Sequence, residues 1–157
     1  MRLTTYTDFS LRVLMYLSLK HESGELTTID QIAESFDISR SHLTKVVHDL
    51  GAHGFIETIR GRTGGMRLAM APELVTIGDV VRHTEPDFFI VQCHQDETGK
   101  RCIIEPVCKL NGLLDRAAQA FLRELDQVNL KQAFTNSDKG REIFHVMSYR
   151  SSLPQSK

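Results

Sequence analysis

Cys93, Cys102 and Cys108 are the only cysteines in the 157-residue chain, and they fall within one stretch, with eight and then five residues between them. Thiolates are soft ligands that hold zinc or iron-sulfur clusters, and a cuboidal cluster takes four protein ligands. Three thiols leave one position to a weaker or exchangeable group, an arrangement better suited to sensing than to bracing a fold. The spacing lacks the tight CxxC pair of zinc sites, so residue type alone leaves three readings open: a cluster, a zinc ion, or inert buried thiols. His94, Asp96, Glu97 and Glu105 are close enough in sequence to supply a fourth ligand.

The rest of the chain must position this loop. With 41% hydrophobic and 25% charged residues and a net charge of -1, it has the composition of an ordinary soluble protein that buries roughly 70% of its unfolded surface. The N-terminus lacks the basic region, apolar core and cleavage site of a secretory signal, and the apolar run from Phe9 to Leu19 is interrupted by Arg12 and is too short to span a bilayer. The expected location is therefore cytoplasmic, where an odd number of thiols argues against a disulfide framework. No catalytic triad, paired acid and base, or phosphate-binding glycine loop occurs, so the chain does not read as an enzyme. Without a global excess of positive charge, any nucleic-acid surface has to be local.

Such a surface is legible. Thr4 to about Lys20 reads as a helix that is apolar nearly all round, with Phe9, Val13, Tyr16 and Leu17 on one face and Leu11, Leu14 and Met15 on others. A helix of that kind is expected between two packed bodies, its own domain and a partner subunit. Thr28-Ile29-Asp30-Gln31 has the form of a capping box and opens a short helix with Ile32, Ala33 and Phe36 inward. After a turn at Phe36-Asp37-Ile38, Ser39 is a natural N-cap for a second helix whose buried face is Leu43, Val46, Val47 and Leu50. Two short helices with a tight turn describe a helix-turn-helix, in which the first residues of the second helix enter the major groove of double-stranded DNA.

Here those residues are Ser39, Arg40, Ser41, His42 and Lys45. Arg40 suits a bidentate guanine contact and Lys45 a phosphate. Phe55 to Arg60 alternates like a strand, Met66 to Ala69 returns as its partner, and Gly61-Arg62-Thr63-Gly64-Gly65 supplies the positive-φ residues of the loop. The hairpin turns the motif into a winged helix. Arg60 and Arg62 belong to the same basic footprint, Arg62 at the tip where it can enter the minor groove, and Gly64 and Gly65 permit close backbone approach. Between Arg40 and Met70 five basic side chains, Arg40, Lys45, Arg60, Arg62 and Arg67, stand against Asp49 and Glu57. His48 and His53 have no evident role beyond the helix surface.

Thr76-Ile77-Gly78-Asp79 starts another helix, which must end before Pro86. Residues 86–105 lose periodicity and form the cysteine-bearing loop. Pro106 suits the first turn of a long helix with Val107, Leu110, Leu114, Ala117, Phe121 and Val128 along one stripe. A partner's equivalent helix is the economical cover for that stripe, giving a two-fold homodimer that presents two recognition helices to a palindromic operator. Beyond Asn129 the pattern weakens, although Phe134, Ile143, Phe144 and Met147 could add packed turns, and residues 151–157 are expected to be disordered. The fold class is mainly α with a small β-hairpin wing. The expected organisation is a winged helix-turn-helix over 1–85, a cluster-binding loop over 86–105, and a dimerisation helix with a C-terminal tail over 106–157.

Specific residues carry a family resemblance. Leu3-Thr4-x-Tyr6-x-Asp8-x-x-Leu11-Arg12-x-Leu14-x-Tyr16-Leu17, the Ile32-Ala33 and Ile38-Ser39 frame, the wing Arg60-Gly61-Arg62-x-Gly64-Gly65-x-x-Leu68, Ile77-Gly78-Asp79-Val80-Val81 and the late three-cysteine loop resemble the Rrf family of bacterial winged-helix regulators, over nearly the whole chain up to about Val128. Glu85-Pro86 followed by Val91-x-Cys93, and Asn111 where a histidine would follow Cys108 by three residues, are similar to the family's nitric-oxide-sensing repressors and unlike its cluster-assembly regulators. The resemblance implies a transcriptional repressor carrying a 4Fe-4S cluster, with 2Fe-2S as the alternative, held by Cys93, Cys102 and Cys108 and completed by Asp8 of the partner subunit. On its own, Asp8 is also what the first turn of any helix favours. Rival readings are a sensor of iron, cluster or redox status on the same scaffold, a small iron-sulfur electron carrier, which leaves the arginines unexplained, and a metal-free DNA-architectural module.

Overall fold

The computed structural model describes residues 2–91 and 103–133. The first helix, α1 (Thr5–Lys20), is the hub of the core. Thr4 caps it by accepting from the Thr7 amide at 3.2 Å, and Val13, Leu14, Tyr16 and Leu17 are at most 2% exposed. Around it pack α2 (Ile29–Phe36), α3 (Arg40–Ala52), a hairpin of β1 (Ile56–Ile59) and β2 (Gly65–Leu68), α4 (Ile77–Thr84) and α6 (Leu130–Ala133). The all-round apolar character of α1 is met in large part by its own domain, with Leu11 and Met15 partly buried against the same core.

The helix-turn-helix forms as the caps dictate. Thr28 and Gln31 complete the capping box reciprocally, and Asp37 closes α2 in the left-handed region at φ 54°, the one non-glycine residue with positive φ among those described. Leu43, Val46, Val47 and Leu50 are all buried, which fixes the rotation of α3 and turns its opposite side to solvent.

In the hairpin Ile56 pairs with Leu68 and Ile59 with Gly65. Thr27 adds a bridge on the free side of β2, exchanging bonds of 2.9 and 2.8 Å with Met66. Of the glycines in the loop only Gly61 has positive φ. Gly64 and Gly65 are glycines for want of room: a Cβ on Gly64 would collide with the Ile59 carbonyl, and one on Gly65 would sit 2.8 Å from the Thr27 carbonyl oxygen.

Thr76 and Asp79 form a second capping box at the start of α4, which ends at Thr84, before Pro86. The long C-terminal helix starts later than expected. Pro106 lies in a 3-10 turn (Glu105–Val107), Cys108 and Lys109 intervene, and α5 spans Leu110–Leu125. Val128 is outside it, because the chain turns at Asp126 and returns to the winged helix. Ile77 donates to the Val128 carbonyl at 2.8 Å, Leu130 donates to Val75 at 2.9 Å, and the Leu130 side chain is fully buried. Arg82 and Asp126 close the same junction with paired bonds of 2.6 and 2.7 Å, and the guanidinium holds the Asp126 carboxyl below its ordinary range. Gly78 leaves the space for this, since a Cβ there would strike Asp126. No helix among the described residues is long and apolar enough to cross a membrane.

Candidate nucleic-acid interface and cysteine loop

Ser39 occupies the N-cap position of α3 with extended backbone, yet its hydroxyl caps nothing and lies 3.3 Å from the Ser41 hydroxyl instead. The first amides of α3 therefore lack a side-chain acceptor, and the positive end of the helix dipole faces outward. Arg40, proposed from sequence as a free guanine reader, places Nη1 3.0 and 3.2 Å from the two carboxylate oxygens of Asp30 on α2. Both side chains are more than half exposed, so the pair contributes little and competes weakly with another acceptor. His42 lies over Phe9 of α1, ring centroids 6.1 Å apart. Lys45 is exposed on the next turn and makes no ion pair among the described residues.

Arg60 follows β1 and Arg62 sits in the wing loop; both are exposed and without an ion pair among the described residues. Arg67 points its guanidinium at Glu57 across the hairpin, 2.9 Å away. Of the five basic residues counted between Arg40 and Met70, two are thus neutralised locally, and Lys45, Arg60 and Arg62 remain. On a protein of net charge -1, these three cations make a local surface that attracts a polyanion.

Of the cysteine loop, Cys93 and Cys102 lie outside the described residues, as do the alternative donors His94, Asp96 and Glu97 and the C-terminal Phe134, Ile143, Phe144 and Met147. Cys108 is half-buried at the entry to α5. Asp8 is exposed in the first turn of α1, where its Oδ2 accepts from Arg12 Nε at 3.0 Å. It borders an open hollow of about 380 Å³ lined by Arg2, Leu3, Thr4, Thr5 and Leu11. Arg12 in turn lies over the Phe36 ring at 5.7 Å. Glu85, last residue before the loop, is tied back to α1 by bonds from the Thr4 amide (2.7 Å) and hydroxyl (3.1 Å). As a donor set, three soft thiolates and one accessible carboxylate fit an iron-sulfur cluster with a single hard, weak ligand. The i,i+4 pair that Asp8 would leave is an exposed one, worth about 0.3–0.5 kcal/mol.

One constellation was not legible from the sequence. His53, given no role above, meets His83 of α4 with ring centroids 3.6 Å apart, and both face Asp49. Tyr6 of α1 donates its phenolic hydrogen to Asp49, and burial, that bond and the carboxylate charge push its pKa up to about 12. Asp49 and His53 at i,i+4 were a local signal; His83 came from a separate helix and no spacing could reveal it.

A recognition helix beginning with donor side chains, followed by a two-stranded wing with free arginines, defines a winged-helix transcription regulator. The comparisons agree. The chain belongs to the Rrf2 family, described as iron-dependent transcriptional regulators, which matches residues 3–136. It is 50% identical over 143 residues to the HTH-type transcriptional regulator NsrR of Bacillus licheniformis, covering 91% of this chain and 99% of that one. With NsrR of Bacillus subtilis it shares 50% identity over 138 residues, 88% of this chain and 93% of that one. Among solved structures, CymR, the global cysteine regulator of B. subtilis, superposes with a TM-score of 0.68 at 26% identity, over 87% of this chain and 99% of that one. IscR of T. potens superposes with a TM-score of 0.69 over 99% of this chain and 94% of that one, and at 17% identity it supports the fold alone.

Proposed function

We propose that this protein is a cytoplasmic, homodimeric repressor that binds a palindromic operator when its iron-sulfur cluster is intact and leaves it on exposure to nitric oxide. The observation that carries the reading is the near full-length 50% identity to regulators named NsrR, in a chain whose three cysteines follow directly on a winged helix. Cys93, Cys102 and Cys108 would hold the cluster, 4Fe-4S in preference to 2Fe-2S, with Asp8 of the partner subunit as fourth ligand. When bound, such a cluster supplies iron centres that react with nitric oxide.

The chain's own residues do the rest. Asp8 exchanges its Arg12 partner for the ligand position, so α1 of one subunit is held to the loop of the other, while Thr4 and Glu85 anchor the start of that loop. The exposed apolar side chains Val107, Leu110 and Leu113 supply the contact between subunits. Together these ties set the separation of the two α3 helices, which must match the half-site spacing. Ser39, Arg40, Ser41, His42 and Lys45 then meet the major groove, with Arg60, Arg62 and Gly65 on the flanking backbone and minor groove. Arg40 must leave Asp30 to do so.

The test is anaerobic: iron and sulfide analysis of the purified protein, then addition of nitric oxide, oxygen or an iron chelator while operator binding is followed. Release by nitric oxide at concentrations where the other two leave the complex intact supports the proposal. Release by chelation or oxygen first favours the second reading, a sensor of iron or redox status, to which the family's iron-dependent description lends weight.

A further inference from the structure

We propose that Asp49, His53 and His83 form a binding site for a divalent transition cation of the zinc class, joining the C-terminal end of the recognition helix to α4. The three side chains come from two helices and converge without any other evident purpose. Asp49 and His53 are one helical turn apart on α3, so both project from the same face, and His83 enters from the last turn of α4. His53 Nδ1 is 3.3 Å from Asp49 Oδ1, and His83 Nε2 is 3.8 Å from Asp49 Oδ2. All three donor atoms lie within 4.8 Å of one another.

A tetrahedral zinc site with bonds of about 2.0–2.1 Å places its donors roughly 3.3–3.5 Å apart. The Asp49 contacts are already near that separation. Closing the remaining gap moves His53, whose side chain is 46% exposed, away from the Asp49 backbone carbonyl that its Nδ1 meets at 2.9 Å. Two imidazoles and one carboxylate are a borderline donor set that prefers zinc, cobalt or nickel to magnesium or calcium. Three protein ligands leave the fourth position to water or an exchangeable group.

The surroundings are those of an ordered metal site. Tyr6 donates its phenolic hydrogen to Asp49 and so acts as an outer donor orienting the carboxylate. The Phe55 ring lies 5.4 Å from the His83 ring and walls one side. The location gives the site a consequence: α3 carries Arg40 and Lys45 at its other end, and α4 leads through Glu85 into the cysteine loop. A cation here would stiffen the junction between the reading helix and the sensing loop. That consequence rests on the proposed function, whereas the binding itself does not.

Calorimetric titration of the full-length, cluster-loaded protein with zinc alone, in the absence of DNA, separates the two. We expect one equivalent to bind with zinc-edge X-ray absorption showing nitrogen and oxygen neighbours and no sulfur. His53→Gln and His83→Gln should each weaken zinc binding at least about 100-fold, and Tyr6→Phe about 10-fold, the size typical of outer-sphere partners. His48→Gln, at an exposed histidine of α3 that is not one of the three ligands, should leave the affinity unchanged. Absence of binding, a sulfur-bearing spectrum, or undiminished affinity in the folded histidine variants would overturn the proposal.

Discussion

The double variant Leu110→Ala, Leu113→Ala probes the contact proposed between two subunits. Each leucine is 54% exposed in the protomer, so about half of its side chain is left for a partner to cover. Full burial of a leucine contributes roughly 1.5–3 kcal/mol, and half of that is about 0.8–1.5 kcal/mol. A two-fold interface contains both residues twice, so four truncations forfeit about 3–6 kcal/mol of association energy. That corresponds to a rise of roughly two to four decades in the dimer dissociation constant. The half of each leucine already buried within the protomer is lost as well, so the protomer should be destabilised by about 1.5–3 kcal/mol and still fold. Sedimentation equilibrium over a range of concentrations reads the constant, and circular dichroism at low concentration reads the protomer. A variant that stays as dimeric as the wild type refutes the assignment of this face to the interface, and one that unfolds refutes the exposure on which the arithmetic stands.

Leu130→Ala should cost about 3 kcal/mol by urea denaturation, the range for a fully buried leucine that leaves a cavity, because α6 locks the end of α5 onto the winged helix. A loss below about 1 kcal/mol would mean the segment is not part of that core. For Tyr6 the native state holds the phenolic proton more tightly than the unfolded chain, from an ordinary value of 10.0 up to about 12. Its contribution to stability is therefore whole below pH 10 and falls as pH rises from 10 towards 12. The phenolate absorbance of the native protein should show a late step that Tyr6→Phe removes. On operator DNA, Lys45→Ala and Arg62→Ala should each weaken binding on all sequences and shrink the log-log salt slope by about 1, whereas Arg40→Ala should cost about 1–3 kcal/mol and relax preference at one base pair. Binding isotherms at several salt concentrations distinguish these outcomes.

Much of the fold could be read directly because it is set by local chemistry. The box of Thr28 and Gln31, the buried set Leu43, Val46, Val47 and Leu50, and the stop before Pro86 each act within a few residues. What escaped depends on contacts distant in sequence. The apolar faces of α1 announced burial without naming what buries them, and the answer includes Leu130, more than a hundred residues away in the chain. Its local signal existed, since Asn129 and Gln132 cap one another across the start of α6, but a four-residue helix offers no periodicity to notice. Pro106 was compatible with a helix start and took a 3-10 turn instead, which sets Cys108 just ahead of α5 rather than within it.

The same division holds at the candidate site. Residue types located the basic footprint, yet only the structure shows that Arg40 and Arg67 are already paired while Lys45, Arg60 and Arg62 have no ion pair among the described residues. A charge count treats all five alike. Asp8 was singled out through the family resemblance, and the structure adds its Arg12 partner and the open hollow beside it. His53 was passed over because half of its constellation sits on another helix.

The central claim is that an intact cluster is what makes this protein bind its operator. The direct measurement compares the operator affinity of cluster-loaded and cluster-free protein at the same salt concentration and protein state of oxidation, with Cys108→Ser as a variant that the proposal expects to stay cluster-free. The account predicts a loss of affinity of at least about 100-fold on removal of the cluster, equivalent to roughly 2.7 kcal/mol, and a variant that binds like the cluster-free form. Equal affinity of the two forms would contradict it.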